Sequence, residues 1–301
     1  MKTPTPSVSR PAFGLRRTPS RSAFVKTLAA LVPLFAFTTF AHATPLLSEN
    51  FENSIFTVGT DLNGKNGWTA NAAVDVVSGG LSYSNETFTI AGGTKSVQSA
   101  ATAAPLANTT FTSQTGEVWM SFTLLVKSSI NGDRYWFSLG SNSNINTGFN
   151  GTVGNTNTGD KKLGAEARTN SSAAPGTTNA FSDNQIILLV ARVYSDGTAS
   201  TPAAFNHVDL WINPASTTLG AANSSGIQAT SAVTSINSFA LTALTNSGSG
   251  PTLQWDNLLI GTTQADVLNV YAIPEPSTYA ALGGVAALGL AILHRRRLSR
   301  A

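Results

Sequence analysis

The sequence predicts an all-β protein, a sandwich of antiparallel sheets, and three observations carry that expectation. Apolar and polar residues alternate with period 2 in several separate runs. Turn signals divide those runs: Asn63-Gly64, Asn66-Gly67, Gly79-Gly80, Gly92-Gly93, Asn131-Gly132-Asp133, Asp196-Gly197 and Gly248-Ser249-Gly250. Between the two termini the chain is rich in Thr, Ser, Asn, Gly and Val, and no helical stretch of 10 residues stands out.

In chain order, the first element is a targeting segment. Lys2, Arg10, Arg16, Arg17, Arg21 and Lys26 form a long basic region. Leu28 to Ala41 is an apolar run of 14 residues interrupted by Pro33. Ala41-His42-Ala43 reads as an A-x-A cleavage site, so residues 1–43 are expected to be a signal peptide and Thr44 the mature start. Arg16-Arg17 suggests a twin-arginine signal, but Thr18-Pro19-Ser20 follows where an apolar pair is needed. The general secretory route is therefore expected.

The body, 44–273, opens with short strands at Leu46 to Phe51, Val74 to Ser78, Leu81 to Ser84 and Ser96 to Ser99. Val118, Met120, Phe122, Leu124 and Val126 are apolar on one face, with Ser121, Thr123 and Lys127 opposite, as in a half-buried strand. Arg134 to Leu139 and Leu253 to Ile260 read as further strands. Gln185 to Tyr194 is apolar on both faces and is expected to be a central strand covered on each side. Val208, Leu210 and Ile212 form another inward row, which leaves His207, Asp209, Trp211 and Asn213 on the other face. Ser141 to Asp160, Thr169 to Ala180 and Ala199 to Ala204 read as long loops or edge hairpins, and Gln264 to Asn269 as one helical turn. With no cysteine anywhere, the body must rely on its core, and 230 residues are enough for one.

The last element is again a targeting segment. Tyr279 to Leu293 carries no charge over 15 residues. With its neighbours, 277–294 is long enough to span a bilayer, and Arg295 is placed to snorkel outward. Arg295, Arg296, Arg297 and Arg300 in the tail 295–301 should stay cytoplasmic, leaving the body outside. Pro274 and Pro276 fix φ and remove backbone donors, so the segment before the helix stays extended. The whole arrangement, Pro274-Glu275-Pro276 before an Ala/Gly/Leu helix and a terminal Arg cluster, resembles the PEP-CTERM sorting signal of bacterial exported proteins over 274–301. That resemblance implies recognition by an exosortase, cutting near Pro274–Pro276, and transfer from the inner membrane to the cell surface or an extracellular polymer matrix. Pro274, Glu275, Pro276, Arg295, Arg296 and Arg297 would be a processing substrate.

The body resembles a family as well. Leu47-Ser48-Glu49-Asn50-Phe51-Glu52, Gly59-Thr60-Asp61-Leu62-Asn63-Gly64 with Gly67-Trp68, and Val77-Ser78-Gly79-Gly80-Leu81-Ser82-Tyr83 are similar to the opening of exported PEP-CTERM proteins with a concanavalin A-like, laminin-G-like domain. Val208 to Pro214 and Trp255 to Thr263 agree. The resemblance implies a two-sheet antiparallel jelly-roll sandwich with one concave sheet, and no single function.

Charge narrows the partners. Eight of the 18 basic residues and 14 of the 15 acidic ones lie in 44–273, so the body is net about −6 and the basic balance belongs to the termini. Nucleic-acid binding is not expected. His207 is the one histidine left after processing and reads as a solvent-face residue; without a second His or a Cys, a zinc site is not expected. Retaining jelly-roll glucanases aim Glu-x-Asp-x-Glu from one strand face, and that triplet is absent: Glu117 is followed by Trp119 and Ser121, and Glu166 by Arg168. Some polysaccharide lyases on this fold use Tyr, Arg and His; Arg134, Tyr135 and His207 supply the types without a motif. For sugar binding, Trp211 beside Asp209, His207 and Asn213 offers a ring with polar neighbours, as do Arg134 and Trp136. The alternative is that both tryptophans pack between sheets or under a loop. Asp61-Leu62-Asn63-Gly64 is similar to the start of a calcium loop but lacks its later ligands, and Asx-turn chemistry explains it more simply. Asp256-Asn257 is a second pair left open for calcium, and no other cofactor is expected. The resulting expectation is a noncatalytic exported protein with a structural or glycan-adhesive role and an exosortase partner, with a carbohydrate-active enzyme as the alternative.

Overall fold

The computed structural model describes residues 44–99, 106–128, 134–141, 149–155, 161–167, 179–180, 182–199, 201, 203–228, 231–244, 252–268, 284, 288, 289 and 295. Within its strands, the side chains of 106, 128, 134–136, 149–155, 161–163, 166–167, 179–180 and 242–244 lie outside that description. So do both targeting segments, apart from isolated positions in the tail. Among the described residues no helix is long and apolar enough to cross a membrane.

The strands are β1 (Leu47–Glu49), β2 (Thr69–Ala70), β3 (Val74–Ser78), β4 (Tyr83–Ser84), β5 (Thr89–Ile90), β6 (Lys95–Ser99), β7 (Leu106–Gln114), β8 (Val118–Ser128) and β9 (Arg134–Gly140). They continue as β10 (Phe149–Asn155), β11 (Lys161–Ala167), β12 (Asn179–Ala180), β13 (Ile186–Tyr194), β14 (His207–Ile212), β15 (Ser224–Ile227), β16 (Ile236–Leu244) and β17 (Thr252–Gly261), followed by the single turn α1 (Gln264–Val267). One sheet runs β15-β14-β13-β8-β17-β6-β3, with β1 also on β17; the other runs β12-β11-β10-β9-β16-β7-β2. Every pairing is antiparallel, and β4 with β5 makes a separate hairpin. This is a jelly-roll-like antiparallel sandwich.

The alternation read from sequence sets which face goes inward. Val118, Met120, Phe122, Leu124 and Val126 of β8 all enter the core between the sheets, with Ile187, Leu189, Ala191 and Val193 of β13 and Val208 and Leu210 of β14. The second sheet answers with Phe137 and Leu139 of β9 and Phe239 and Leu241 of β16. Phe122 bridges the two, its ring centroid 5.2 Å from Phe137 and 5.9 Å from Phe239, both edge-on. Each such fully buried ring stabilises the fold by about 1.5–3 kcal/mol relative to exposure.

β13 lies between β8 and β14, and its other face is also covered. Leu188 and Val190 join Trp119, Trp211, Phe88, Ile90, Leu259, Val267 and Leu268 in a second apolar cluster. The β4–β5 hairpin is tied down there: Asn85 Nδ2 donates to Pro214 O at 2.8 Å and Thr87 Oγ1 to Ala215 O at 2.6 Å. The backbone of Gly92 crosses Gly80 so closely that a Cβ at Gly80 would lie 1.1 Å from Gly92 O.

Expectation and structure differ in places. The segment Leu81 to Ser84 is strand only at Tyr83–Ser84, and the strand expected over Leu46 to Phe51 ends at Glu49 because Phe51 turns with φ +58. The stretch Ser141 to Asp160, read as a long loop or edge hairpin, contains β10, which pairs antiparallel with β11 towards the end of the second sheet, as the hairpin reading has it. α1 stops at Val267. It carries a capping box between Thr263 and Asp266.

Candidate functional site

β13 ends in Arg192 and Tyr194, and β14 begins with His207 and Asp209. Antiparallel register sets Arg192 beside Asp209 and Tyr194 beside His207, with Trp119 of β8 on the far side of Arg192. Period 2 puts all five on the outer face of the first sheet, because their neighbours Val193, Val208 and Val118 point into the core. Glu117, just before β8, completes the group.

The contacts form a continuous stack. The Trp119 and Trp211 rings lie 5.5 Å apart at 18°. The Arg192 guanidinium sits 5.6 Å from the Trp119 centroid and 4.0 Å from the Tyr194 centroid. Tyr194 stacks in turn on His207 at 4.7 Å and 16°. A guanidinium between aromatic faces is held by their quadrupoles as well as by packing.

Carboxylates brace the stack from its sides. Glu117 Oε2 accepts from Arg192 Nη2 at 2.5 Å, and its other oxygen accepts the indole N–H of Trp119. His207 lies between two aspartates, with Nδ1 3.6 Å from Asp196 Oδ2 and Nε2 3.4 Å from Asp209 Oδ1. Asp209 Oδ1 also accepts from Ser225 Oγ at 2.5 Å. Asp196 Oδ1 accepts from Thr198 N, Thr198 Oγ1 and Asn206 Nδ2, and the Thr198 and Asn206 bonds hold its carboxyl well below the usual range. Burial pushes the Tyr194 hydroxyl up, and the Asp209 carboxylate adds to that shift.

The sequence-proposed binding set maps onto this region unevenly. His207 is on the outer face, but its side chain is only 14% exposed, so it is a bracketed residue and not an open solvent-face one. Asp209 is equally covered. Trp211 is 8% exposed, lies against Trp119 and donates its indole N–H to Gly220 O at 2.9 Å. It therefore packs under the 213–222 loop, in keeping with the packing alternative stated for this tryptophan. Asn213 has φ +49, and its Oδ1 accepts the N–H of Leu188 at 2.9 Å, a strand-closing role. Arg134 pairs in register with Gly154 and Leu244, and Trp136 with Thr152 and Thr242, on the second sheet. Their side chains, and that of Tyr135, lie outside the described residues. Pro274, Glu275, Pro276, Arg296, Arg297, Ala41 and Ala43 are outside the description too.

The sequence reading does not single out Arg192 and Tyr194, and it weighs Glu117 only against the glucanase triplet. The sequence signal was available: Arg-x-Tyr closes an apolar strand and His-x-Asp opens the next, so a hairpin pairs them.

At both calcium candidates, polar side-chain groups engage other parts of the protein. Asp61 forms an isolated antiparallel bridge with Asp75, whose carboxyl is pushed up by burial and by Asp61 beside it. Asn63 Oδ1 accepts the N–H of Ala70 at 3.1 Å. Asp256 is fully buried, its Oδ2 accepting from Leu81 N at 3.0 Å and its Oδ1 from Asn257 N at 2.7 Å. Among the described residues no three His, Asp or Glu side chains are grouped to hold a metal ion.

No family model and no curated protein matches the chain. Among solved structures, it is similar to an alginate lyase mutant in complex with alginate tetrasaccharide, at 13% identity over 73% of this chain and 98% of that one, TM-score 0.46. It is similar to an endo-β-1,4-glucuronan lyase from the fungus Trichoderma reesei, at 13% identity over 75% and 98%, TM-score 0.46. A carbohydrate-binding module, CBM66 from Bacillus subtilis, matches at 11% identity over 68% and 99%, TM-score 0.36. A likeness of this degree assigns neither ligand nor activity.

Proposed function

We propose that the chain is a bacterial exported protein, cut by an exosortase near Pro274–Pro276, whose sandwich then serves at the cell surface or in an extracellular polymer matrix. Its role there is structural or glycan-adhesive and noncatalytic. One observation carries the noncatalytic reading: in the Arg192–His207 cluster each carboxylate is already engaged by the protein itself. Glu117 holds Arg192 and Trp119, Asp196 holds Thr198 and Asn206, and Asp209 holds Ser225. A glycosidase needs two carboxylates facing each other across room for substrate. Both faces of the Tyr194 ring are also occupied, by Arg192 and His207.

The export reading rests on the order of segments in the sequence: basic and apolar leader, sandwich, Pro-Glu-Pro, apolar run, arginines. Its test is fractionation of cells expressing Glu275→Ala and Pro276→Ala. Both variants should stay in the membrane fraction while the unaltered chain is released; normal release of both would sink the sorting claim. A polysaccharide-lyase alternative has one observation in its favour, the meeting of Tyr194, Arg192 and His207. Against it, the Tyr194 hydroxyl is pushed up, away from the ionised form a base requires.

A further inference from the structure

Two Asn-Gly steps follow β1, and the fold treats them differently. At Asn63-Gly64 both reacting groups are held: Asn63 Oδ1 accepts from Ala70 N at 3.1 Å, and Gly64 N donates to Trp68 O at 2.8 Å. At Asn66-Gly67 both residues are exposed, with φ +46 and +79. The Gly67 N–H makes no hydrogen bond among the described residues. Asn66 Nδ2 donates to Glu49 Oε2 at 2.7 Å, so the side chains of both asparagines are held and the two steps differ in the glycine N–H.

We propose that Asn66 is a site of spontaneous deamidation, selected over Asn63 by the fold. The Gly67 backbone nitrogen gives its proton to solvent and attacks Asn66 Cγ. A C–N bond forms, closing a five-membered succinimide, while the Cγ–Nδ2 bond breaks and that nitrogen, taking a proton from solvent, leaves as ammonia. Water then opens the ring at either carbonyl, leaving an aspartate or an isoaspartate at position 66. Water is the only co-reactant, and nothing is oxidised or reduced. Glycine at 67 admits the approach because it has no Cβ.

The product acts on the fold through Glu49. That residue is 4% exposed, and its Oε1 accepts the N–H of Phe51 at 3.0 Å. The turn so held seats Phe51 against Phe56 at 5.3 Å and Trp68 at 5.9 Å. Deamidation replaces the Asn66 donor with a second carboxylate facing the buried Glu49, and like charges at hydrogen-bond distance repel. The segment between β1 and β2 therefore loosens from the aromatic cluster.

The test is ageing of the purified full-length chain in detergent at mildly alkaline pH, followed by peptide mapping with mass spectrometry. Asn66 should convert roughly tenfold faster than Asn63, since freeing the attacking nitrogen is worth about one hydrogen bond. In urea, where the fold is lost, the two rates should converge. Equal rates in the folded chain, a faster Asn63, or an inert Asn66 beside a reactive urea sample would each overturn the proposal. Asn66→Asp serves as a product mimic and Asn66→Ser removes the amide without adding charge. The mimic should melt below the Ser variant at neutral pH, with the gap closing in acid; equal melting at neutral pH would overturn the role given to Glu49.

Discussion

Asp256 is the residue whose environment is most at odds with its chemistry. It is fully buried on β17, and burial, with the nearby Glu52 and Glu49 charges adding to it, pushes its carboxyl up to about 8 against the two backbone N–H bonds that pull it down. Its folded value lies above the unfolded one of 3.8, so its contribution to stability is fully present below about pH 4 and is lost as pH rises toward 8. Thermal melts across that window should fall with rising pH, and Asp256→Asn should flatten the curve. A melting temperature that instead rises over the same window would contradict the assignment. The two bonds also fasten Leu81 and Asn257 beneath the Gly80–Gly92 crossing. Asp256→Ala, which leaves both N–H groups unpaired, should cost about 2–4 kcal/mol in denaturant titrations. The Glu117–Arg192 pair is different, because the two side chains are 34% and 32% exposed. Glu117→Gln should cost only about 1 kcal/mol or less.

Among the elements, β14 is the sharpest test of the face assignment. Leu210 is fully buried in the core, and Leu210→Lys should unfold the domain, seen as loss of the cooperative melt by circular dichroism. Thr263→Ala removes one half of the α1 capping box and should cost about 1 kcal/mol. What was legible in the sequence follows the same physics. β8 and β14 read clearly because one face is apolar without interruption, and β3 because its Val-rich run ends in the Gly79-Gly80 turn signal. β16 was missed because its register shifts between Ile236 and Ser238, so its inward residues Ile236 and Phe239 stand three apart and break the period. β7 was missed because it turns Ala107 and Thr109 inward, side chains too small or too polar to register as an apolar row. The polar cluster escaped for another reason: Glu117 and Arg192 are 75 residues apart and meet only through strand pairing. Gln185 to Tyr194 reads as apolar on both faces because Ile186 to Ala191 dominate it, and Arg192 and Tyr194 change its character only at the end.

For the whole molecule, β1 pairs with the last strand, Leu47 opposite Ile260, so the sheet is completed only when both ends of the body are present. The first sheet is covered on its outer side by the β4–β5 hairpin, the 213–222 loop and α1, and the braced Arg192 stack lies beside that cover. As proposed above, this sandwich makes contacts and turns nothing over. That proposal is tested most directly by incubating the purified chain with acidic and neutral polysaccharides and sizing the products. Polymer of unchanged length is expected, with Tyr194→Phe and Glu117→Gln indistinguishable from the unaltered chain. Release of oligosaccharides that disappears in either variant would contradict it.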